Sequence, residues 1–310
     1  MKRVKHIVGL LLAAAGMLMG GVARAEVPLV KPDRSVKTLI APKYFGPNAF
    51  PVPEMLDGTV SATLQAELAG DYSHGFLASG RDNFFAIHTK ISIPLWTPRV
   101  NLTFWMPVCE WWNMGPEAMA ARRVDPSLSG KGHDAGAAFL SVDFCVLKER
   151  KYVPAIAIRA ALRTASDGSF ANGVSYDSPG YFFDAAIGKN FGPVRLAVSA
   201  GFLCWQVTNG GQNDAIMFGA LARYEHRWIS IGAQFGGYWG WERDGDFPMT
   251  LRARIEGPKE WMFRPFALYQ RGLHDWPFDQ VRVGVIFSYD ILKFRKQKDA
   301  SSGEAPEQQQ

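Results

Sequence analysis

Cysteine is scarce in this 310-residue sequence, with only Cys109, Cys145 and Cys204 present. Three cysteines cannot all pair within one chain, and their spacing matches no structural zinc site, so neither a disulfide scaffold nor a zinc module is expected. Beyond residue 25 there is no apolar run of the roughly 18 residues that a helical membrane span requires. An excess of charge is also missing. The formal +5 comes from 34 basic and 29 acidic residues, but four of the basic ones fall in the first 25 residues, leaving 30 against 29. A balance of +1 offers no electrostatic footprint for nucleic acid. No glycine-rich phosphate loop follows a strand, and no internal repeat is visible. No cofactor site and no metal site are expected.

The first 25 residues read as an export signal. Lys2, Arg3 and Lys5 precede an apolar stretch from Ile7 to Val22, and Ala23-Arg24-Ala25 is a small-x-small cleavage site before Glu26. No cysteine stands at that site, so a lipid-anchored reading has no support.

The main signal is alternation with a period of two, the mark of β-strands with one apolar face. Val281, Val283, Val285, Phe287, Tyr289 and Ile291 share one face, while Arg282, Gly284, Ile286, Ser288 and Asp290 share the other. Twelve such segments are predicted, over 59–70, 83–95, 100–110, 137–147, 152–164, 181–190, 194–206, 214–225, 229–241, 248–257, 261–270 and 280–291. Their apolar rows include Phe85, Ile87, Ile91, Ile93 and Leu95 in the second, and Ile229, Ile231, Ala233, Phe235, Trp239 and Trp241 in the ninth. Trp96, Trp228, Trp239, Trp241 and Trp261 sit near segment ends, as interfacial aromatic belts require. Short connections (near 96–99, 148–151, 190–193, 226–228 and 258–260) alternate with mostly longer ones (71–82, 111–136, 165–180, 207–213, 242–247 and 271–279).

Export without helical spans, an even strand count and alternating loop lengths predict an all-β protein. It is expected to be a single transmembrane antiparallel β-barrel of about 12 strands with both termini in the periplasm. A soluble sandwich would share the short strands but gives no reason for the loop asymmetry. The expected organisation is a cleaved leader over 1–25, a proline-rich segment over 26–57, the barrel over 58–294 and a charged, disordered tail over 295–310. Three readings of 26–57 stay open: a lining of the periplasmic mouth, an inward plug, or a lead into the first strand.

The same parity assigns the lumen. Lys90, Arg159, Arg163, Arg195, Arg223, Arg252, Arg254, Arg264 and Arg282 are placed inside, with Glu67, Asp143, Asp184, Glu225, Glu256 and Asp290. A charge facing hydrocarbon costs about 2–4 kcal/mol at midplane, which alone collects charges inside. Gly201, Gly219, Gly232, Gly236, Gly240 and Gly284 leave inner space for water or for the proline-rich segment. Cys204 is expected to face lipid and Cys145 the lumen, so they are poor mates. Ala118 to Ala121 is expected to form a short helical turn in the longest loop.

These features resemble bacterial outer-membrane β-barrels, of the kind found in Bacteroidota. The resemblance covers the leader, the strand series and the loop alternation; it names an architecture and no transport family. It implies an integral outer-membrane location and contact with outer-membrane lipid. Envelope proteins are candidate partners, and the oligomeric state stays open. Three functions fit. The first is a passive channel for small polar or anionic solutes, drawn by the arginine ladder. The second is a non-conducting barrel docking envelope proteins. The third is an outer-membrane lipid hydrolase or acyltransferase. For the third, His133-Asp134, His274-Asp275, Ser141 and Ser166 form no recognisable catalytic set, so no catalytic residue is assigned.

Overall fold

The computed structural model describes residues 45–77, 80–168, 174, 179–205, 214–240 and 247–292. The leader at 1–25, the tail at 295–310 and Trp241 lie outside the described residues. The strands are β1 (Leu64–His74), β2 (Asp82–Pro94), β3 (Val100–Met114), β4 (Lys131–Asp134), β5 (Phe139–Leu147), β6 (Ala155–Arg163) and β7 (Gly180–Phe191). They continue with β8 (Val194–Trp205), β9 (Asp214–His226), β10 (Ile229–Trp239), β11 (Met249–Glu256), β12 (Phe263–His274) and β13 (Asp279–Tyr289). Among the described residues a short helix, α1 (Pro116–Ala121), falls where the alanine patch predicts it.

From β5 to β13 each strand pairs antiparallel with the next, and β3 pairs with β5. The ring closes because β13 pairs with β1, β1 with β2 and β2 with β3. Twelve strands therefore form a closed barrel; β4 is extra, pairing only with the end of β3 from Glu110↔Asp134 to Asn113↔Lys131. Closure leaves the twelve-strand ring without an open edge, the condition for backbone to survive in hydrocarbon.

The alternation explains which face is which. Along β13, Val281, Val283 and Val285 are exposed, while Gln280 and Ile286 are buried inside. Leu162, Val198, Ile231 and Leu251 are likewise exposed on other strands. Rows of bare aliphatic side chains around a closed barrel are stable only against lipid. Trp96, Trp228 and Trp261 stand exposed at the short-turn end, and Trp111 and Trp239 toward the other. A closed antiparallel barrel with this exterior is an integral outer-membrane β-barrel.

Several expectations shift. The first strand begins at Leu64 rather than residue 59, and it continues to His74, which carries Asp71 onto the inner wall. β12 extends to His274, so Asp275–Phe278 is a tight connection instead of a long one. Loop-length alternation fails there. A bulge also interrupts the β2–β3 ladder: Ile87 lies opposite Cys109 but His88 opposite Pro107. The extra residue reverses the parity of β3, so Trp105 and Glu110 both face inward. Cys204 was expected to touch lipid. It stands opposite Tyr181 on the outward row but is fully buried, and Cys109, Cys145 and Cys204 form no disulfide with one another. β1 starts and β13 ends at the short-turn end; the chain termini themselves lie outside the described residues.

Replacing Val283, which is 56% exposed mid-strand, by arginine is expected to destabilise the barrel by about 2–4 kcal/mol. Urea titration of folding into lipid vesicles measures this. Val283→Ile is expected to change it little.

Candidate functional site: the lumen and the segment that fills it

Residues 45–63 form no strand, and the stretch from Phe45 to Gly58 lies inside the barrel. Pro47, Pro51 and Pro53 shape it. Proline fixes φ and carries no N–H, so this stretch brings fewer donors that need partners in a confined space. Its carbonyls still need donors, and the wall supplies them in series. Trp276 Nε1 donates to the Phe45 carbonyl (3.4 Å) and the Tyr238 hydroxyl to that of Phe50 (3.1 Å). Arg252 donates to the carbonyls of Val52 and Pro53, and Arg159 Nη2 to that of Glu54 (2.7 Å). Arg195 donates to the Asp57 carbonyl from Nε (2.9 Å) and Nη2 (2.6 Å).

The segment's side chains are held as well. Glu54 pairs with Lys90 at 2.8 Å, and Asp57 with Arg223 at 2.6 Å. Asn48 Nδ2 donates to Glu110 at 3.0 Å. Phe50 is fully buried, with Trp205 at 6.4 Å between ring centroids and the Arg163 guanidinium at 5.6 Å from its ring. Such cation–π contacts gain strength when desolvated.

Inner-face glycines make room for the segment. A Cβ on Gly219 would run into the Met55 side chain, one on Gly236 would touch Val52, and one on Gly188 would overlap the Asp57 carbonyl. Gly58 turns the chain toward β1 with φ of +82°, a conformation that glycine adopts without penalty.

The segment runs from end to end. Phe45 and Gly46 touch Trp276 and Val174 beside the longer connections, whereas Asp57 reaches Arg195 and Gly188 beside the short turns. Glu149, in the turn between β5 and β6, accepts from Arg195 Nη1 at 3.0 Å. Desolvation works against its charge, but the Asn190 N–H, Arg195 and Lys189 outweigh it and hold the carboxyl below its ordinary value.

The remaining lumen charges crosslink the wall. Arg159 forks onto Asp184 (2.7 and 3.0 Å). Arg254 joins Glu67 (2.8 Å) to Glu256 (2.7 Å) and lies 4.1 Å from the Phe266 ring. Arg264 reaches Glu256 at 3.5 Å, and Arg223 reaches Glu225 at 2.7 Å. Arg282 and His88 converge on Asp71. Asp143 accepts from Ser141 and Thr103, and Asp290 is partly buried just past β13.

Of the positions read from parity, Lys90, Arg159, Arg163, Arg195, Arg223 and Arg252 contact the segment, and Arg254, Arg264 and Arg282 pair with wall carboxylates. The guanidiniums of this ladder are bonded to the wall and to the segment. Parity missed Asp71, whose strand was ended too early at residue 70, and Glu110, which a bulge re-aimed. Glu54 and Asp57 belong to no strand, so no period could place them.

At the end with the longer connections α1 packs through Ala118 onto Phe84, Trp112 and Met114. Arg122, just past the helix, forks onto Asp82 (2.6 and 3.1 Å) with both side chains fully buried. Phe84, Trp112, Met114, Ala118 and Val174 form an apolar cluster there. The loop pairs considered for catalysis are not brought together: His274 contacts Asp275 and the Phe247 carbonyl, and His133 lies against Trp111. Among the described residues no cluster of His, Cys, Asp or Glu could hold a metal.

No protein-family model and no curated protein matches the chain. Among solved structures it is similar to the NanC porin at 11% identity and a TM-score of 0.49, covering 72% of this chain and 98% of that one. It is similar to the KdgM porin in complex with disordered oligogalacturonate at 10% identity and a TM-score of 0.45, covering 73% and 99%. Outer membrane phospholipase A from Escherichia coli matches at 13% identity and a TM-score of 0.43, covering 76% and 100%. The strand register carries the fold independently of these likenesses.

Arg122→Ala would strand the Asp82 carboxylate in a buried site. The expected loss is about 3–5 kcal/mol, measured by denaturant unfolding of the refolded barrel. The double replacement R122M/D82N is expected to recover much of it, because no unpaired charge then remains.

Proposed function

We propose that the protein is an outer-membrane channel for small anionic solutes, held closed by its own residues 45–57. One observation carries this reading: the segment occupies the lumen along its length and is gripped chiefly through main-chain carbonyls. Water or solute oxygens can replace carbonyls as acceptors, so the grip is of a kind that opens without breaking the wall. Displacing the segment also removes Glu54 and Asp57 from the lumen. Lys90 and Arg252, and further along Arg195 and Arg223, would then face water, and such a basic lining favours anions. Full occupancy of the lumen also supports a second reading, a non-conducting barrel that docks envelope proteins.

Conductance in planar bilayers separates them. The intact protein is expected to give rare, small openings. Deletion of residues 45–57 is expected to give steady conductance with a reversal potential shifted toward anions, and R195Q/R252Q in that background is expected to reduce the shift. A deletion barrel that is folded but silent would favour the docking reading.

A further inference from the structure

Glu54 and Asp57 are the acidic groups of the lumen segment, and each sits in its own basic station. At the first, Lys90 Nζ lies 2.8 Å from Glu54, while Arg252 and Arg159 hold the adjoining carbonyls. At the second, Arg223 Nη2 is 2.6 Å and Arg195 Nε 3.6 Å from the Asp57 carboxylate. The stations are three residues apart, on the order of 10 Å along an extended chain. Between them the wall offers guanidinium donors to oxygen acceptors. Asp184, Glu149 and Glu225 orient Arg159, Arg195 and Arg223 from the wall side, so these guanidiniums keep their aim when the segment leaves.

We infer that the segment occupies a two-station site for a linear oligoanion, one bearing carboxylate or phosphate groups about 10 Å apart on an oxygen-rich backbone. This rests on the closed-channel reading and names its solute class. The carboxylates of Glu54 and Asp57 stand in for the solute's acidic groups, and the carbonyls of residues 52–54 and 57 for its neutral oxygens. A ligand that engages both stations gains effective concentration at the second, so it binds more tightly than either acidic group alone.

The test uses the barrel lacking residues 45–57, in planar bilayers, with linear oligoglutamate, linear oligophosphate, acetate, inorganic phosphate and oligolysine added in turn. A synthetic peptide of residues 45–59 is a further probe. Oligoglutamate or oligophosphate is expected to block current about 100-fold more tightly than its single-group counterpart; the stronger of the two identifies the anion. The peptide is expected to block as well, and its E54Q/D57N form much more weakly. Oligolysine is expected to leave the current unchanged.

A conducting barrel on which the oligoanions act no more tightly than acetate and phosphate would overturn this inference while leaving the channel reading intact. A folded but silent barrel would overturn the channel reading; the same ligands are then titrated by tryptophan fluorescence, and a flat response overturns the site too. If the deletion prevents folding, full-length E54Q/D57N is used. There oligoglutamate or oligophosphate is expected to displace the segment and change the emission of Trp205, which packs on Phe50. No change with either oligoanion would overturn the site.

Discussion

A guanidinium inside a narrow barrel must be solvated by something, and here the solvent is largely protein. Arg159, Arg195 and Arg252 each place donors on the main chain of residues 52–57, and wall carboxylates or amides take their other donors. The rest of the interior follows from that requirement. A buried charge without a partner is far costlier than a surface one. The arginines therefore call for a filler rich in acceptors and poor in donors, and an extended chain with prolines at 47, 51 and 53 is such a filler. The glycines of β7, β9 and β10 give it room.

The exterior obeys a separate constraint. Lipid accepts no unpaired backbone and few polar side chains, so the outer face can be read almost residue by residue from alternation. That is why the strands and their even count were legible in the sequence. Val281, Val283 and Val285 could face only one way. The inner glycines also signalled space, with the proline-rich segment as one possible occupant. What stayed hidden were features that period two cannot encode. The bulge between β2 and β3 sends Glu110 inward against the parity of the strand's first half. The β12–β13 connection tightens once both strands are traced to their ends. Glu54 and Asp57 lie on a segment without secondary structure, so their partners depend on three-dimensional threading alone. The Asp82–Arg122 pair joins the start of a strand to the end of a helix 40 residues away, a separation that carries no local signal.

The two ends of the lumen differ in chemistry. Beside α1 the packing is apolar, built on Phe84, Trp112, Met114 and Ala118, with the buried Arg122–Asp82 pair at the helix end. At the short-turn end the contacts are ionic and more open to water, with Asp57, Arg195, Arg223, Glu149 and Glu225 in one network. Ionic contacts near water are weakened by salt and competing anions, whereas apolar ones are not. The segment's ionic contacts where it turns into β1 are therefore more open to salt and competing anions than its contacts with Val174 and Trp276 at the other end.

The segment is also separable from the wall in a way that a strand would not be. The ring is complete through β13–β1, β1–β2 and β2–β3, none of which uses residues 45–57. Its described bonds to the strands run to side chains, not into a backbone ladder. Withdrawing a strand would open two sheet edges inside hydrocarbon, a cost that no solute contact could offset. Withdrawing this segment leaves every strand pairing in place and exchanges carbonyl acceptors for water or solute oxygens. An intact wall around an exchangeable filler is what the proposed gate requires, because the free-energy difference between filled and emptied states is then set by the segment's own contacts, ionic at Glu54 and Asp57 and apolar at Phe50.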